Sequence, residues 1–170
     1  SERAGLAVVT GASSGIGREL AKQFAHHGFD LVINAEGTGL EQVAEELRRT
    51  GVEVWPVQAD LSRYDDVERL HSEVRAAGRP VDVAALNAGV GQGGSFAASD
   101  LADELAVIQL NVVSTVHLAK LLVNDMVARG AGKLLFTSSI ASMMPGPYQA
   151  TYNASKSFVQ SFAEALADEL

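Results

Sequence analysis

The sequence "TGASSGIG" runs from Thr10 to Gly17 and overlaps the end of the apolar segment "GLAVVT" at residues 5–10. A short apolar run bounded by a glycine cluster is typical of a buried strand, and the residues from about 15 to 27 have helical spacing. A strand, a glycine-rich turn and a helix in succession begin a β-α-β unit. We therefore expect a parallel sheet whose strands are connected by helices.

Two chemistries fit this stretch. With Ser13 as the central residue it matches G-x-S-x-G, the turn that presents a nucleophilic serine in hydrolases. With Gly11, Gly15 and Gly17 as the fixed positions it is a loop whose backbone N–H groups can bind phosphate at the start of a helix. Both motifs require a strand before the turn and a helix after it. The choice between them therefore depends on the rest of the chain.

Apolar runs and amphipathic stretches alternate along the whole chain. The predicted strands cover residues 5–10, 30–35, 52–60, 81–89 and 132–139. The predicted helices cover residues 15–27, 39–50, the stretch that follows an N-cap at Ser62, residues 102–129, and residues from about Ala150 to the end. Strands rich in Val, Leu, Ile and Ala throughout are buried on both faces. The sequence therefore predicts one domain, residues 1–170, with a doubly wound parallel sheet of the Rossmann type in three layers, α/β/α.

Composition and charge restrict the function classes. The formal net charge of -8 disfavours nucleic acid and anionic membrane surfaces as partners. We expect no membrane span, since no uninterrupted apolar run approaches the roughly 18 residues that a span needs. Cysteine is absent and the four histidines are scattered, so no metal site is expected. These features favour a cytoplasmic protein that acts on small molecules. The histidines are His26, His27, His71 and His117.

The histidines also bear on the nucleophile hypothesis. A hydrolase with Ser13 as its nucleophile needs an acid and a histidine further along the chain. His71 and His117 are the candidates, and both lie in the middle of predicted helices rather than in strand-end loops. The phosphate loop is therefore the favoured interpretation, and Ser13 and Ser14 become hydroxyl donors to phosphate or ribose.

In that interpretation each glycine of the loop has its own task. Gly11 allows the tight turn, and Gly15 lets the backbone approach a phosphate closely. Gly17 lets the helix pack closely on the sheet. The helix that follows adds the partial positive charge of its N-terminus.

A second group of polar residues lies near the other end, in "FTSSIASMMPGPYQATYNASK". Tyr152 and Lys156 are four residues apart at the start of the last predicted helix, so their side chains share one face. A tyrosine of pKa about 10 is a poor base at neutral pH, and a nearby lysine charge favours its phenolate form. Ser139 ends the fifth predicted strand, where it can donate a hydrogen bond to a carbonyl oxygen of a substrate. Together these side chains form an acid/base device that suits a carbonyl beside a nicotinamide.

With these motifs the chain resembles the short-chain dehydrogenase/reductase family, whose marks are T-G-x-x-x-G-x-G near the N-terminus and Y-x-x-x-K downstream. The resemblance implies an NAD(P)-dependent oxidoreductase that interconverts an alcohol and a ketone or aldehyde. It makes Tyr152 the catalytic acid/base, and gives Lys156 the roles of assisting Tyr152 and holding the ribose of the nicotinamide. It makes Ser139 the residue that positions the substrate carbonyl. The resemblance also gives Asn111 the role of supporting a water-linked proton relay through a local break in its helix.

The same resemblance implies the cofactor site and the assembly. A homodimer or homotetramer is expected, and so are C-terminal strands and a substrate lid that this sequence lacks. Since the last helix has no stop signal either, we expect a C-terminally incomplete version of a longer chain. The implied cofactor-binding residues are Gly11, Ser13, Ser14, Gly15, Ile16, Gly17, Glu36, Asp60, Leu61, Asn87, Ala88 and Gly89, together with Tyr152 and Lys156.

The choice between NAD and NADP depends on the end of the second predicted strand. Ala35 occupies the position of the acid that commonly binds the ribose of NAD, and Glu36 follows it, where NADP-preferring relatives tend to have arginine. A carboxylate repels a 2'-phosphate. Arg18 is the nearby cation that could oppose this effect. We expect NAD rather than NADP. The alternative function is a non-catalytic dinucleotide-binding or sensor protein of the same fold, and a serine hydrolase is a more distant one.

Overall fold

The alternation of apolar and amphipathic stretches produces alternating strands and helices. The structure, a computed structural model, describes residues 3–138 and 146–170. The strands in these ranges are β1 (Gly5–Val9), β2 (Phe29–Ala35), β3 (Val54–Gln58), β4 (Val83–Leu86) and β5 (Lys133–Phe136). The helices are α1 (Gly15–His26), α2 (Leu40–Arg48), α3 (Tyr64–Ala76), α4 (Leu101–Ile108), α5 (Ser114–Arg129) and α6 (Ala150–Glu169). A π-helical segment, Gln109–Val113, joins α4 to α5.

The five strands form one parallel sheet in the order β3-β2-β1-β4-β5. Ala7 in β1 pairs with Leu31 on one side and with Val83 on the other. The chain first builds the sheet from β1 towards β3 and then returns to add β4 beside β1. This reversal between β1 and β4 is the position at which doubly wound sheets bind their ligands. The predicted Rossmann-type parallel sheet is confirmed.

Both faces of the sheet are buried, because neighbouring residues of each strand point to opposite faces. Leu6 and Val8 of β1 belong to a cluster with α3 and α5, and Ala7 and Val9 belong to a second cluster with α1 and α2. The helices thus cover the sheet on two sides, and the three layers are those that the sequence predicts. The largest buried side chains lie in these two clusters, Leu6, Leu31, Ile33, Leu47, Leu70, Leu118 and Leu122 among them.

The long helix predicted over residues 102–129 is interrupted where Asn111 lies. Residues Gln109–Val113 form π-helical hydrogen bonds, which insert one extra residue into the helix. By length and composition, the run Leu101–Arg129 could cross a membrane. Our criterion of an uninterrupted apolar run missed this feature because polar residues such as Asn111 divide it. In the structure 39% of its apolar window is buried, with Val107, Leu118 and Leu122 in the interior, while Leu105 and Val127 are exposed.

One predicted helix start is wrong. Ser62 is not the N-cap of α3, which begins at Tyr64 after Arg63. The hydroxyl and the backbone N–H of Ser62 both donate to Oδ1 of Asp60, at 2.6 and 3.0 Å. The reason is that the carboxylate of Asp60, two residues earlier, forms a tight turn with Ser62. The Ser62 hydroxyl is a donor in this turn and is therefore not available to accept a backbone N–H of α3.

Candidate functional site

A threonine hydroxyl helps to join the carboxyl ends of β1 and β4. Thr10 follows β1, and its Oγ1 accepts hydrogen bonds from the backbone N–H groups of Asn87 at 2.9 Å and Ala88 at 3.0 Å. Thr10 itself is buried. This contact brings the glycine loop and the segment after β4 to the same place on the sheet edge.

Two glycines of the loop have opposite surroundings: Gly17 is closely packed, and Gly15 is open. A Cβ on Gly17 would lie 2.0 Å from the carbonyl oxygen of Gly11 and 2.5 Å from Nδ2 of Asn87. Such distances are far inside van der Waals contact, so residue 17 must be glycine for α1 to lie this close to the loop. Gly15 has φ +54° and meets no other atom within 4 Å of a Cβ position. Its backbone is therefore open to an approaching ligand.

Asn87 connects three strand ends. Its Nδ2 donates to the carbonyl oxygen of Gly11 at 3.3 Å, and its Oδ1 accepts a hydrogen bond from the hydroxyl of Thr137 at 2.6 Å. Thr137 directly follows β5. The side chain of Asn87 thus links the loop after β1, the segment after β4 and the end of β5.

A cleft of about 270 Å³ opens beside these contacts. Most of the predicted cofactor-binding residues line it. The predicted residues that do not line it are Gly15, Ile16, Gly17, Tyr152 and Lys156. Gly15 and Ile16 lie at the exposed start of α1, in a separate shallow depression. The lining residues are Gly11, Ser13, Ser14, Asn34, Ala35, Glu36, Gly37, Ala59, Asp60, Leu61, Asn87, Ala88, Gly89, Val90 and Leu110.

Charges near the cleft are distributed as follows. Glu36 is exposed at the end of β2, and its backbone carbonyl accepts a hydrogen bond from Gln58 at 2.9 Å. The guanidinium of Arg18 pairs with Glu46 of α2 at 2.6 Å and does not line the cleft. The Oδ2 of Asp66 accepts the backbone N–H of Asp60 at 2.8 Å. Glu36 is therefore the charged side chain at the end of β2 that lines the cleft, and Arg18 is engaged elsewhere.

Asn111 holds the segment after β4 against the long helix. Its side chain is 1% exposed. Oδ1 accepts the backbone N–H of Val90 at 2.9 Å, and Nδ2 donates to the carbonyl oxygen of Val90 at 2.9 Å and to Oγ of Ser155 at 3.1 Å. The hydroxyl of Thr115 donates to the backbone carbonyl of Asn111 at 2.9 Å. The π-helical segment thus places one amide between the cleft and α6.

Lys156 lies at the junction of these parts. Its side chain is 8% exposed, and its Nζ lies 5.9 Å from the ring centroid of Tyr152. A Cβ on Gly89 would be 3.3 Å from Nζ of Lys156 and 3.1 Å from Oδ1 of Asn111. Burial of the ammonium group lowers the pKa of Lys156 from its usual value. The structure therefore brings Asn111 and Lys156 to Gly89, a residue that lines the cleft, and the ring centroid of Tyr152 lies 5.9 Å from the lysine amine.

Two serines, Ser138 and Ser139, follow Thr137 after β5. Ser139, the predicted carbonyl-positioning residue, lies outside the described residues. The hydroxyl of Ser138 donates to Oε1 of Gln160 in α6 at 2.8 Å. Ser138 therefore connects the end of β5 to the helix that carries Tyr152 and Lys156.

The two candidate histidines of the hydrolase hypothesis lie between α3 and α5. His71 Nε2 contacts Asp125 at 2.7 Å, and His117 Nε2 contacts Glu68 at 2.7 Å. Each pair joins one helix to the other. Among the described residues that line the cleft with Ser13, none is a histidine. Within residues 3–138 and 146–170, the structure thus places neither histidine of the hydrolase hypothesis beside Ser13.

Several residues of the site escaped sequence reasoning. Asn34 is buried inside β2, where its Nδ2 donates to the carbonyl oxygens of Val57 and Ala59. A polar residue within the apolar run "DLVINA" was the available signal for it. Nothing in the sequence marks Thr137 or Ser155 in this way. Threonine is common at the end of a strand, and serine is common in the first turns of a helix.

Comparison with known proteins agrees with this geometry. A family model described as short chain dehydrogenase matches residues 5–170. The chain is 37% identical over 171 residues to a protein from Podospora anserina named very-long-chain 3-oxoacyl-CoA reductase, and the match covers 96% of this chain and 50% of that protein. The chain thus spans about half the length of this relative.

Solved structures give the same fold. A metagenomic short-chain oxidoreductase in complex with NADP superposes with a TM-score of 0.93 at 32% identity, covering 99% of this chain and 77% of that one. A short chain dehydrogenase/reductase from Burkholderia phymatum in complex with NAD also has a TM-score of 0.93, at 33% identity, covering 99% of this chain and 60% of that one. With the family model matched from β1 to the end of α6, the chain belongs to the short-chain dehydrogenase/reductase family.

Proposed function

We propose that this chain binds a nicotinamide dinucleotide in the cleft and interconverts an alcohol and a ketone or aldehyde. One observation carries the proposal: Gly89 both lines the cleft and lies beside the amine of Lys156. The dinucleotide cleft and the Tyr152–Lys156 pair therefore meet at one point. A site for binding alone has no need of a tyrosine and a buried lysine at that junction.

The residues present fit a dinucleotide. Open backbone at Gly15 and the hydroxyls of Ser13 and Ser14 suit a pyrophosphate at the N-terminus of α1. Glu36 suits the hydroxyls of the adenosine ribose, since it is exposed at the end of β2. The adenine would lie against Asp60 and Leu61, and the segment 87–89 would line the nicotinamide half.

In this mechanism the bound nicotinamide supplies or accepts the hydride. During reduction the Tyr152 hydroxyl donates a proton to the carbonyl oxygen of the substrate, and during oxidation the phenolate takes that proton back. The ammonium group of Lys156, 5.9 Å from the ring centroid of Tyr152, is proposed to hold ribose hydroxyls of the nicotinamide half. Asn111 keeps Val90 and α6 in place around the lysine. Ser139 is proposed to donate a hydrogen bond to the same carbonyl oxygen.

The decisive test is Tyr152→Phe in the full-length protein, measured with NADH and NADPH against a panel of ketones and aldehydes. We expect kcat to fall at least about 100-fold, since proton transfer by a positioned side chain contributes roughly that much or more. Dinucleotide affinity should stay within about twofold, because the phenol oxygen does not form the cleft. Tyr148→Phe is the matched control, since Tyr148 is exposed and precedes α6.

Two outcomes would contradict the proposal. Full turnover by Tyr152→Phe would remove Tyr152 from the acid/base role. Dinucleotide binding by the wild-type protein with no turnover of any carbonyl or alcohol would favour the alternative of a non-catalytic sensor of this fold.

NAD is the proposed cofactor. The charges support it, since Glu36 lines the cleft and Arg18 is paired with Glu46 rather than directed at a 2'-phosphate. The related structures hold NADP in one case and NAD in the other, so the family as a whole uses both.

The remaining proposals concern substrate, assembly and location. The substrate is a small carbonyl compound or alcohol, and the Podospora anserina relative, named for 3-oxoacyl-CoA, makes 3-oxoacyl thioesters the first compounds to assay. Exposed apolar side chains on α4, α5 and α6, among them Leu105, Val116 and Phe158, support a homodimer or homotetramer, which light scattering would test. A cytoplasmic location accords with a chain free of cysteine.

A further inference from the structure

A buried carboxylate, Glu104, lies outside the mechanism described so far. It belongs to α4 and is 9% exposed. The hydroxyl of Thr151 donates to it, and so does Oγ of Ser99 at 2.7 Å. These two hydrogen bonds, that of Thr151 first, hold the pKa of Glu104 below its usual value. The group is therefore ionised at neutral pH, and both of its partners are neutral hydroxyls.

The helix that Glu104 contacts lacks a cap of its own. In the part of the chain that the structure describes, Gln149 is the N-cap of α6 and makes no side-chain hydrogen bond to the helix. Residues 150–153 read "ATYN" and contain no acid. Negative charge stabilises a helix N-terminus, where backbone N–H groups lack partners. Glu104 supplies that charge from another helix, through the second residue of α6.

Tyr152 directly follows Thr151, and three residues after Tyr152 the side chain of Ser155 makes a second contact with the long helix. Nδ2 of Asn111 donates to Oγ of Ser155 at 3.1 Å, and Oγ of Ser155 donates to the backbone carbonyl of Tyr152 at 2.6 Å. Ser155 is buried. The run from α4 through the π-helical segment thus holds α6 at Thr151 and at Ser155, and Tyr152 is the first of the three residues between them.

We propose that Glu104 is a positioning residue, which fixes the first turn of α6 through Thr151 and so sets the place of the Tyr152 hydroxyl against the carbonyl of the substrate. The inference rests on the proposed oxidoreductase function. Its physical basis is that proton transfer depends on geometry at the scale of an ångström. The side chain of Thr151 has one hydroxyl and forms no part of the proposed cofactor or substrate contacts.

The test compares the two hydroxyl partners of one carboxylate in the full-length protein. Thr151→Val preserves the shape of the side chain and removes the hydroxyl from α6, and Ser99→Ala removes the other hydroxyl, which is outside α6. We expect Thr151→Val to lower kcat about tenfold with the KM for the dinucleotide within about twofold. Ser99→Ala should leave kcat within about twofold, and Thr151→Ser, which keeps a hydroxyl, should restore most of the wild-type kcat.

Glu104→Leu completes a double-mutant cycle. If the carboxylate acts through Thr151, Glu104→Leu with Thr151→Val lowers kcat no further than Glu104→Leu alone. Equal kcat for Thr151→Val and wild type would overturn the inference, and so would equal losses for Thr151→Val and Ser99→Ala, since those would indicate a general effect on folding.

Amide hydrogen exchange gives a readout that needs no turnover. We expect faster exchange at residues 152–156 in Thr151→Val and no change in Ser99→Ala, and unchanged exchange in both would overturn the inference. Failure of the proposed function is a separate result, because it would be visible as absent turnover in the wild-type protein whatever the variants do.

Discussion

The glycine loop and the start of α6 form two sides of one site, and they are built in different ways. The loop depends on backbone and on the absence of side chains: Gly17 packs against the carbonyl of Gly11, and Gly15 is open. The start of α6 depends on side chains from other elements, since Glu104 and Asn111 hold Thr151 and Ser155. On the cofactor side, adding a single carbon at Gly17 should disrupt the packing. On the catalytic side, removing a single hydroxyl should release a hydrogen bond that orients α6.

The largest expected effect is on the loop. Gly17→Ala would put a Cβ 2.0 Å from a backbone oxygen, and backbone cannot move aside as a flexible side chain can. We expect the free energy of unfolding to fall by about 3 kcal/mol or more, together with loss of dinucleotide binding. Chemical denaturation and fluorescence titration measure the two effects.

Gly37→Ala is the matched control for that variant. Gly37 lines the cleft, which Gly17 does not, but a Cβ on Gly37 meets no atom within 4 Å and its φ is not positive, so Gly37→Ala should leave the free energy of unfolding nearly unchanged. Unfolding free energies within about 0.5 kcal/mol of each other for Gly17→Ala and the wild type would contradict the packing argument.

The next effect is on the catalytic side. Lys156→Met should lower kcat at least about 100-fold and still raise the stability of the protein, because a buried ammonium group opposes folding. Lys120→Met, at an exposed position of α5, is the control and should change neither quantity. A variant that loses both activity and stability would show that Lys156 is needed for packing and would contradict this prediction.

The pH dependence of the same variant has a definite sign. Burial lowers the pKa of Lys156 in the folded state, so the unfolded chain binds more protons than the folded one between the two pKa values. Wild-type stability relative to Lys156→Met should therefore rise as pH increases through the folded pKa towards about 10.4, the unfolded value. Below the folded pKa the stability advantage of the methionine variant should be constant.

The smallest expected effect concerns cofactor choice. Glu36→Arg should raise the ratio of kcat/KM for NADPH to kcat/KM for NADH about tenfold, since a guanidinium replaces a repelling carboxylate near the 2'-phosphate. Glu45→Arg has the same charge change on α2, at an exposed position that does not line the cleft, and should leave the ratio within about twofold. A wild-type protein with a large preference for NADPH would refute the proposal of NAD.

Local sequence patterns predicted one side of the site better than the other. The succession of strands and helices along the chain and the position of the glycine loop follow from apolar periodicity and from residue size. Both are properties of neighbours in sequence. Glu104 lies 47 positions before Thr151 along the chain, so no local pattern could pair them. Ser62 failed as an N-cap for the related reason that Asp60 competes for its hydroxyl. Sequence reasoning thus named candidate residues for the site, but it missed Asn34, Thr137 and Ser155 and gave none of the contacts that orient the side chains.

The π-helical segment also makes chain length a determinant of the site. Each α-helical residue turns the chain by roughly 100°, so one inserted residue rotates everything that precedes it relative to everything that follows. On the two sides of the π-helical segment the contacts differ: α4 packs against α6, and α5 packs against α3 and β4. Deleting one residue from Gln109–Val113 would permit an unbroken α-helix and would turn Glu104 away from Thr151. At this point the count of residues, as much as their identity, is under structural constraint.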